Sequence, residues 1–244
     1  MIESVPYHDY VVHANSVHAW MPMDSHDRWI ENCQDPVRMD MLIAHGWLPE
    51  QQITYNFNSH GFRSQEFNDL PSAPCLGCSF TMGIGLPLQQ TWPSILQDLI
   101  GKTCWNLGLG GSSLDTAFRL VKYYVNHLNI SAVLCLVPES KRFEIFENGQ
   151  PCIINWSNHH PYKQFYKHWM CDDKNAEINE TKNLLAIEKL CDSNNIPFKY
   201  MYAEIEMGLA GERSLARDLT HSGYLEQKAC AQKFRSMLFA DSHK

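Results

Sequence analysis

The sequence has 244 residues, of which 44% are hydrophobic and 19% charged, and its formal net charge is −7. This composition, with a mean hydropathy of −0.34, is typical of a folded globular protein and unlike that of a disordered chain. The basic residues are scattered along an acidic chain, so the positive surface that attracts nucleic acid is missing. We therefore expect no nucleic-acid partner.

Cysteine usage and apolar runs indicate where the protein functions. The nine cysteines are an odd number without a repeated spacing, which favours a reducing compartment. The first ten residues lack the basic end and apolar run of a signal peptide. No apolar stretch reaches the roughly 18 residues that a transmembrane helix needs. We expect a soluble protein, cytoplasmic or virion-associated, without an export signal or a membrane partner, and we leave its oligomeric state open.

The first part of the chain shows no clear periodicity. We interpret residues 1–52, rich in histidine and tryptophan, as an N-terminal extension that packs on a main domain of residues 53–244. The main domain opens with the segment 53–64, which alternates between apolar and polar residues before it reaches glycine and asparagine. This pattern predicts a strand followed by a turn.

Short apolar runs then alternate with helical patterns. They predict strands at 75–78, 103–107, 130–137 and 198–203, and helices at 88–100, 112–127, 177–194 and 222–239. Alternating strands and helices give parallel pairing with helices on both faces of the sheet. The prediction is an α/β protein, a three-layer α/β/α sandwich around a mainly parallel, flavodoxin-like sheet. Residues 142–174 interrupt the alternation, and we interpret them as an insertion near the site.

Three loops follow predicted strands or precede the last helix, and these loops carry the chemically useful residues. In an open parallel sheet, ligands bind at the carboxyl ends of the strands. After the first of these strands, GCSFTMGIGL places Ser79 at a strand-to-helix turn. After the second, NLGLGGSS provides glycines, including Gly110, that let backbone amides approach a ligand closely. Near the C-terminus, RDLTHSGY contains Asp218 and His221.

These three blocks, in this order and over roughly residues 53–240, resemble those of the SGNH or GDSL-like hydrolases. The resemblance implies that Ser79 is the nucleophile, that His221 is the general base and that Asp218 orients His221. It also implies an oxyanion hole formed by the amides of Ser79 and Gly110. The expected activity is that of a serine esterase that hydrolyses an O-acyl ester through an acyl-enzyme, without metal or cofactor. The expected partner is a small-molecule or glycan ester, such as an O-acetyl carbohydrate.

The sequence departs from the pattern of that family at two places. Cys78 stands where the family has an aspartate beside the nucleophile. The third block, usually Gly-x-Asn-Asp, reads LVPES at 136–140, so the asparagine is absent. Loss of one oxyanion donor typically costs about 10²–10³ in rate. Two alternatives therefore remain open: a catalytically silent binding or structural protein of the same fold, and an O-acyltransferase that uses the same serine.

Each candidate residue also has a purely structural interpretation. Ser79 fits a helix N-cap, and Asp218 with His221 fits a capping pair at the start of the last helix. Gly110 fits a residue that only permits a turn before a helix. Arg63, in the segment NSHGFRS, fits either an anchor for an acidic ligand group or a structural salt bridge. We leave Arg63 outside the catalytic set.

Two groups of residues have the composition of metal ligands without the spacing. Cys75 and Cys78 form a Cys-x-x-Cys pair, but no second pair follows at the distance of a zinc finger. The insertion contains a group that fits no familiar metal pattern: His159, His160, His168 and Cys171. Its aromatic residues fit either stacking on sugars or packing in a core: Trp156, Tyr162, Phe165, Tyr166 and Trp169. We expect no metal site.

Overall fold

The structure is a computed structural model that describes residues 8–48, 50–155, 163–202 and 214–240. In these ranges the strands are β1 (Val17–His18), β2 (Tyr55–Asn56), β3 (Ser72–Leu76), β4 (Thr103–Asn106), β5 (Val133–Val137), β6 (Phe143–Glu147), β7 (Gln150–Ile154) and β8 (Phe198–Tyr202). The helices are α1 (His26–Gln34), α2 (Pro36–Ala44), α3 (Ser79–Met82), α4 (Trp92–Ile100), α5 (Leu114–Tyr124), α6 (Lys163–Cys171), α7 (Asp173–Asp192) and α8 (Tyr224–Ala240). Short 3-10 turns lie at Asp9–His13 and Leu88–Gln90.

The central sheet has the strand order β4–β3–β5–β8, and its strand pairs are parallel. Counted along the chain, these four strands follow the order 2-1-3-4, which is that of flavodoxin-like sheets. Helices α4 and α8 cover one face of the sheet, and α5 and α7 cover the other. The predicted α/β class, with three layers and a parallel sheet, is confirmed. No helix in the described ranges is long and apolar enough to cross a bilayer.

Strand β5 shows why the central strands are visible in the sequence. Val133, Cys135 and Val137 pack toward α5 and α7, whereas Leu134 and Leu136 pack toward α4 and α8. All of these residues are buried. A strand that is covered on both faces is apolar throughout, so it appears as an uninterrupted apolar run.

The element bounds differ from the predicted ones where capping or proline decides them. Helix α5 begins after Ser113, whose Oγ accepts the Thr116 amide at 3.4 Å and so caps the helix. The helix predicted over 88–100 is divided into a 3-10 turn and α4, which has Pro93 in its first turn. Proline suits that position because the first amides of a helix have no intrahelical acceptor.

The N-terminal part contains structure that its sequence pattern does not predict. It forms α1, α2 and β1, and β1 pairs antiparallel with β2 across the predicted boundary at residue 53. Trp29 and Leu42 share a buried cluster with Met82 and Ile84, which follow the candidate nucleophile in the chain. Of the strand and turn predicted over 53–64, the strand covers only the two residues of β2. The division into an extension of residues 1–52 and a main domain stays a prediction.

The segment interpreted as an insertion begins with a β-hairpin. Strands β6 and β7 pair antiparallel around Asn148 and Gly149, which have φ angles of 51° and 78°. Such left-handed residues form the tight turns that match the twist of a hairpin. Helix α6 follows and packs against α7. Residues 156–162, which include Trp156, His159, His160 and Tyr162, lie outside the described residues.

Candidate active site

The serine loop, residues 77–85, follows β3 at the carboxyl end of the sheet and contains the short helix α3. Gly77 has a φ of 149°, and a Cβ added there would lie 2.2 Å from Thr81 Oγ1 and 2.8 Å from the Leu136 carbonyl oxygen. Glycine is therefore required at this turn. Ser79 is the first residue of α3 and is half-buried. The loop thus presents the Ser79 side chain at the edge of the sheet where the sequence predicts it.

A buried arginine holds the far end of the serine loop. Arg63 is fully buried and donates hydrogen bonds to the carbonyl oxygens of Met82, Gly83 and Leu86, the last at 2.7 Å. It also donates to the Thr54 carbonyl at 3.0 Å. Burial lowers the pKa of Arg63 to about 10, so the side chain stays charged at neutral pH. In the described structure Arg63 has neither of the roles considered from the sequence. Its described hydrogen bonds all end on backbone carbonyl oxygens.

The glycine loop, residues 106–112, packs directly on the serine loop. The buried Asn106 side chain donates to the Thr81 carbonyl at 2.9 Å and accepts the Gly108 amide at 3.0 Å. The Leu109 amide donates to the Gly77 carbonyl at 3.0 Å. A Cβ added to Gly108 would lie 2.3 Å from the Met82 nitrogen, so only glycine allows this close approach. Asn106 thus fixes the two loops against each other, a role that the NLGLGGSS block does not reveal.

The two amides expected to form the oxyanion hole have no acceptor among the described residues. Within the described ranges, neither the Ser79 amide nor the Gly110 amide donates a hydrogen bond to another residue. Both residues are half-buried. An unpaired amide at a partly exposed surface loses nothing until water is excluded, and a ligand oxygen can then take the place of the water.

The histidine loop, residues 214–222, brings Asp218 into contact with the predicted general base, His221. His221 Nδ1 lies 2.6 Å from Asp218 Oδ2, and both side chains are buried. Asp218 Oδ1 accepts the amides of Thr220 and His221 at 3.1 and 3.0 Å. Leu219 between them has a left-handed φ of 55°, which is unfavourable for a branched residue and is typical of functional turns. Asp218 is thus held by its own loop in contact with the imidazole.

This contact determines which nitrogen of His221 is available as a base. An ionised carboxylate only accepts hydrogen bonds, so Nδ1 carries the proton and Nε2 presents its lone pair. The ring of Phe80 packs edge-on against the imidazole, with centroids 5.2 Å apart. Ser79 therefore lies next to a residue that contacts His221. In the described part of the chain, no hydrogen bond joins the Ser79 side chain to His221.

Gln227 connects the serine loop to the histidine loop. This buried residue of α8 donates to the Phe80 carbonyl at 2.9 Å and to Ser222 Oγ at 3.4 Å, and its Oε1 accepts the Trp92 amide at 2.8 Å. The Arg217 amide also donates to the Gly85 carbonyl at 3.0 Å. The chain segments on either side of Ser79 and His221 are therefore joined by direct hydrogen bonds. A single glutamine in an amphipathic helix gives no sequence signal for this role.

A buried ion pair ties the N-terminal part of the chain to the histidine loop. Arg217 donates from Nε to Asp24 Oδ1 at 3.0 Å and from Nη2 to Asp24 Oδ2 at 2.7 Å. The Tyr55 hydroxyl donates to Asp24 and accepts the Gly85 amide at 2.8 Å. Burial and the neighbouring Asp24 raise the pKa of Tyr55, so its hydroxyl keeps the proton that it donates. The ring of Trp20 stacks on the Arg217 guanidinium at 4.0 Å.

Comparisons with known proteins concern the fold. No protein-family model matches the sequence, and no curated protein matches it. One similar solved structure is AlinE4, an SGNH-hydrolase family esterase, at 12% identity and a TM-score of 0.36, over 72% of this chain and 75% of that one. Another is the psychrotrophic esterase EstA from Pseudoalteromonas sp., at 12% identity and a TM-score of 0.37, over 68% of this chain and 98% of that one. Similarity at this level says nothing about the activity of this chain.

The two departures from the family pattern have clear structural surroundings. Cys78 is buried beside Cys135, and burial raises the pKa of the Cys135 thiol. At the end of β5, Pro138 has no N–H group, and the Glu139 carboxylate pairs with Arg142 at 3.2 Å. Neither Pro138 nor Glu139 offers the amide side chain that the missing asparagine would supply.

The cysteines, histidines and aromatic residues considered as ligands or sugar platforms lie in different parts of the fold. The described residues contain no group of three histidine, cysteine or acidic side chains that could hold a metal ion. Cys75 is buried and its thiol donates to the Ala73 carbonyl at 3.3 Å. His168 and Cys171 are exposed on α6. Tyr166 and Trp169 of α6 pack against Phe143, with ring centroids 5.3 and 4.3 Å away, so they belong to a small core.

Proposed function

We propose that the protein is a serine ester hydrolase in which Ser79 is the nucleophile, His221 the general base and Asp218 the residue that orients the base. The observation that carries this proposal is the 2.6 Å contact between His221 Nδ1 and the buried Asp218 carboxylate. It leaves Nε2 as a base at the carboxyl edge of a parallel sheet, beside the loop that presents Ser79. A capping pair needs no such contact between its two side chains.

The chemistry follows from the protonation states of these groups. Ser79 Oγ attacks the ester carbonyl carbon while its proton passes to His221 Nε2. The bond to the alcohol oxygen then breaks, and the imidazolium gives that oxygen its proton. Water then attacks the acyl carbon while its proton passes to His221, the bond from that carbon to Ser79 Oγ breaks, and the imidazolium returns the proton to Oγ as the acid leaves. Asp218 stabilises the imidazolium and keeps the ring in the correct tautomer.

The free amides of Ser79 and Gly110 support the proposed oxyanion hole. In an acyl transfer the carbonyl oxygen becomes negatively charged, and donors placed in advance stabilise that charge. The amides of Ser79 and Gly110 come from adjacent loops and have no acceptor among the described residues, so they are donors of the kind that an oxyanion needs. Their positions are fixed by the hydrogen bonds between the loops, such as that from Leu109 to Gly77.

The acyl group in this proposal is small, such as acetyl, and the alcohol is a carbohydrate. Both the small acyl group and the carbohydrate alcohol rest on the resemblance of the sequence blocks to the family. Release of acetate from acetylated glycans of different linkage identifies the acceptor.

The test uses the purified full chain, a fluorophosphonate probe and p-nitrophenyl acetate. The expected result is stoichiometric phosphonylation located at Ser79 by peptide mapping, with turnover of the ester. Ser79→Ala loses both. The control is Ser236→Ala, which removes an exposed helical hydroxyl that donates to the Gln232 carbonyl and leaves both activities unchanged. A wild-type protein that is neither labelled nor active contradicts the proposal and favours the silent alternative.

A second measurement separates hydrolysis from transfer. With an acetyl donor and a sugar acceptor present, a hydrolase releases free acetate in proportion to the donor consumed. An acyltransferase instead gives acetylated sugar and consumes little donor when the acceptor is omitted. Product analysis by mass spectrometry distinguishes the two.

A further inference from the structure

The hairpin of β6 and β7 delivers an amide side chain to the glycine loop. Asn155 follows the last residue of β7, and a Cβ added to Gly111 would lie 3.1 Å from Asn155 Nδ2. Gly111 has a left-handed φ of 75° and is the direct neighbour of Gly110. The Asn155 amide therefore lies beside the turn that carries one of the two free backbone donors.

The position of this hairpin is fixed by a buried polar network at the start of α5. Glu144 of β6 accepts from Arg119 at 2.8 and 2.7 Å and from the Thr116 hydroxyl at 3.1 Å. The Glu144 amide donates to Asp115 Oδ2 at 3.1 Å. Charge-assisted, bidentate contacts of this kind are among the strongest in proteins. Because α5 begins a few residues after the glycine loop, the same helix end positions both the hairpin and the loop.

A second layer of hydrogen bonds holds this network in place. Asn183 and Asn179 of α7 donate to the two oxygens of Asp115 at 2.8 and 3.2 Å. The end of β7 is also anchored, because its last residue, Ile154, is fully buried and packs with Phe143. Asn155 thus follows directly after a rigid position and is not part of a free loop end.

The geometry points to Asn155 as a side-chain donor to the oxyanion, next to the amides of Ser79 and Gly110. This inference rests on the proposed esterase function. An asparagine amide group carries two N–H donors. Side-chain amides serve in oxyanion holes together with backbone amides. The turn after β5 supplies no such group, because Pro138 lacks an N–H and Glu139 is paired with Arg142.

The test compares Asn155→Ala and Asn155→Asp with wild type. We expect kcat for p-nitrophenyl acetate, calculated per active site titrated with the fluorophosphonate, to fall about 10²-fold in both variants. KM changes little, because the oxyanion exists only in the transition state. Asn155→Asp keeps the shape of the side chain and removes its N–H donors, and its thermal midpoint measures separately what the substitution costs the fold. The control is Gln150→Ala, an exposed position at the far end of β7.

The outcomes separate this inference from the proposed function. If wild type is labelled at Ser79 and Asn155→Ala loses less than tenfold in kcat, the role of Asn155 is wrong and the esterase stands. If wild type is neither labelled nor active, both are wrong. A loss of at least tenfold in both variants, with an unchanged midpoint in Asn155→Asp and unchanged activity in Gln150→Ala, supports the assignment.

Discussion

Arg217, the residue directly before the candidate catalytic aspartate, forms a bidentate ion pair with Asp24 although 193 positions separate them in the chain. Both side chains are almost completely buried, at 1% and 2% exposure. The pair fixes the backbone at Asp218 from outside the sheet. Its hydrogen-bond partner Tyr55 extends the same support to Gly85 in the serine loop.

Breaking this pair should destabilise the whole protein. Asp24→Asn leaves the Arg217 charge without its counter-ion in a buried site, and such losses cost about 3–5 kcal/mol. Urea denaturation measures the change in the free energy of unfolding. The matched control is Asp173→Asn, which breaks an exposed pair with Lys141 and should change the stability far less, because solvent screens such a pair. Equal losses in the free energy of unfolding for the two substitutions would show that the buried pair stabilises the protein no more than the exposed pair does.

Asp218→Asn should lower kcat sharply. The amide group donates to Nδ1 and so favours the wrong tautomer of His221, a change that costs about 10⁴ in kcat in a well-studied triad. We expect a loss of about 10³–10⁴ in kcat for p-nitrophenyl acetate. Asp40→Asn, on the exposed side of α2, is the control and keeps wild-type activity. If Asp218→Asn keeps more than a tenth of the wild-type kcat, Asp218 does not orient the base.

Gly85→Ala should disturb the contact between the serine and histidine loops. Gly85 has a φ of 73°, and an added Cβ would lie 3.0 Å from Ala216 Cβ and 3.1 Å from the Arg217 nitrogen. We expect a loss of about 2 kcal/mol or more in the free energy of unfolding, together with slower fluorophosphonate labelling. Gly101→Ala is the matched control: its φ is 63°, but nothing lies within 4 Å of the added atom, so only the backbone strain of about 1 kcal/mol remains. Identical losses would mean that crowding at Gly85 is unimportant.

The stability of the protein should fall in mild acid because of His8. Burial lowers the pKa of His8 from 6.5 to about 4, and its Nε2 lies 3.0 Å from the His60 carbonyl. Between these two pH values the unfolded chain binds a proton that the folded chain does not, so the free energy of unfolding decreases as the pH falls from 6.5 to 4. The gap between the two pKa values corresponds to about 3 kcal/mol.

His8→Gln tests this linkage because glutamine does not titrate. Denaturation curves at a series of pH values should show a smaller loss of stability for the variant between pH 6.5 and 4 than for wild type. Above pH 7 the two profiles should run parallel, which serves as the internal control. Parallel profiles throughout the acid range would show that His8 does not contribute.

The parts of the fold that the sequence predicts are those whose signals are local. The apolar run of β5, the Ser113 cap of α5 and the glycine-rich turns after β3 and β4 are each contained in a few neighbouring residues. Asp218 and His221 are three positions apart, so one turn brings them into contact whatever the rest of the chain does. Their catalytic role, like that of Ser79, stays a prediction.

The rest of the candidate site depends on contacts between distant segments. Nothing near Asp24 indicates that its partner is Arg217. The sequence suggests a ligand anchor or a salt bridge for Arg63, whereas the structure surrounds it with four backbone carbonyls. The hairpin that carries Asn155 was interpreted only as an insertion, because its anchor, Glu144 with Arg119, joins two different elements. Buried polar groups of this kind satisfy one another in three dimensions and leave no periodic pattern.

The pairing of Asp24 with Arg217 has a consequence for how the chain matures. During synthesis the acid emerges early, and its counter-ion follows only after nearly all of the central sheet has been made. Until then the Asp24 carboxylate lacks its counter-ion, and its burial carries a free-energy cost. The contact between the histidine loop and its N-terminal support is therefore made late, and a nascent chain that ends before residue 217 lacks it.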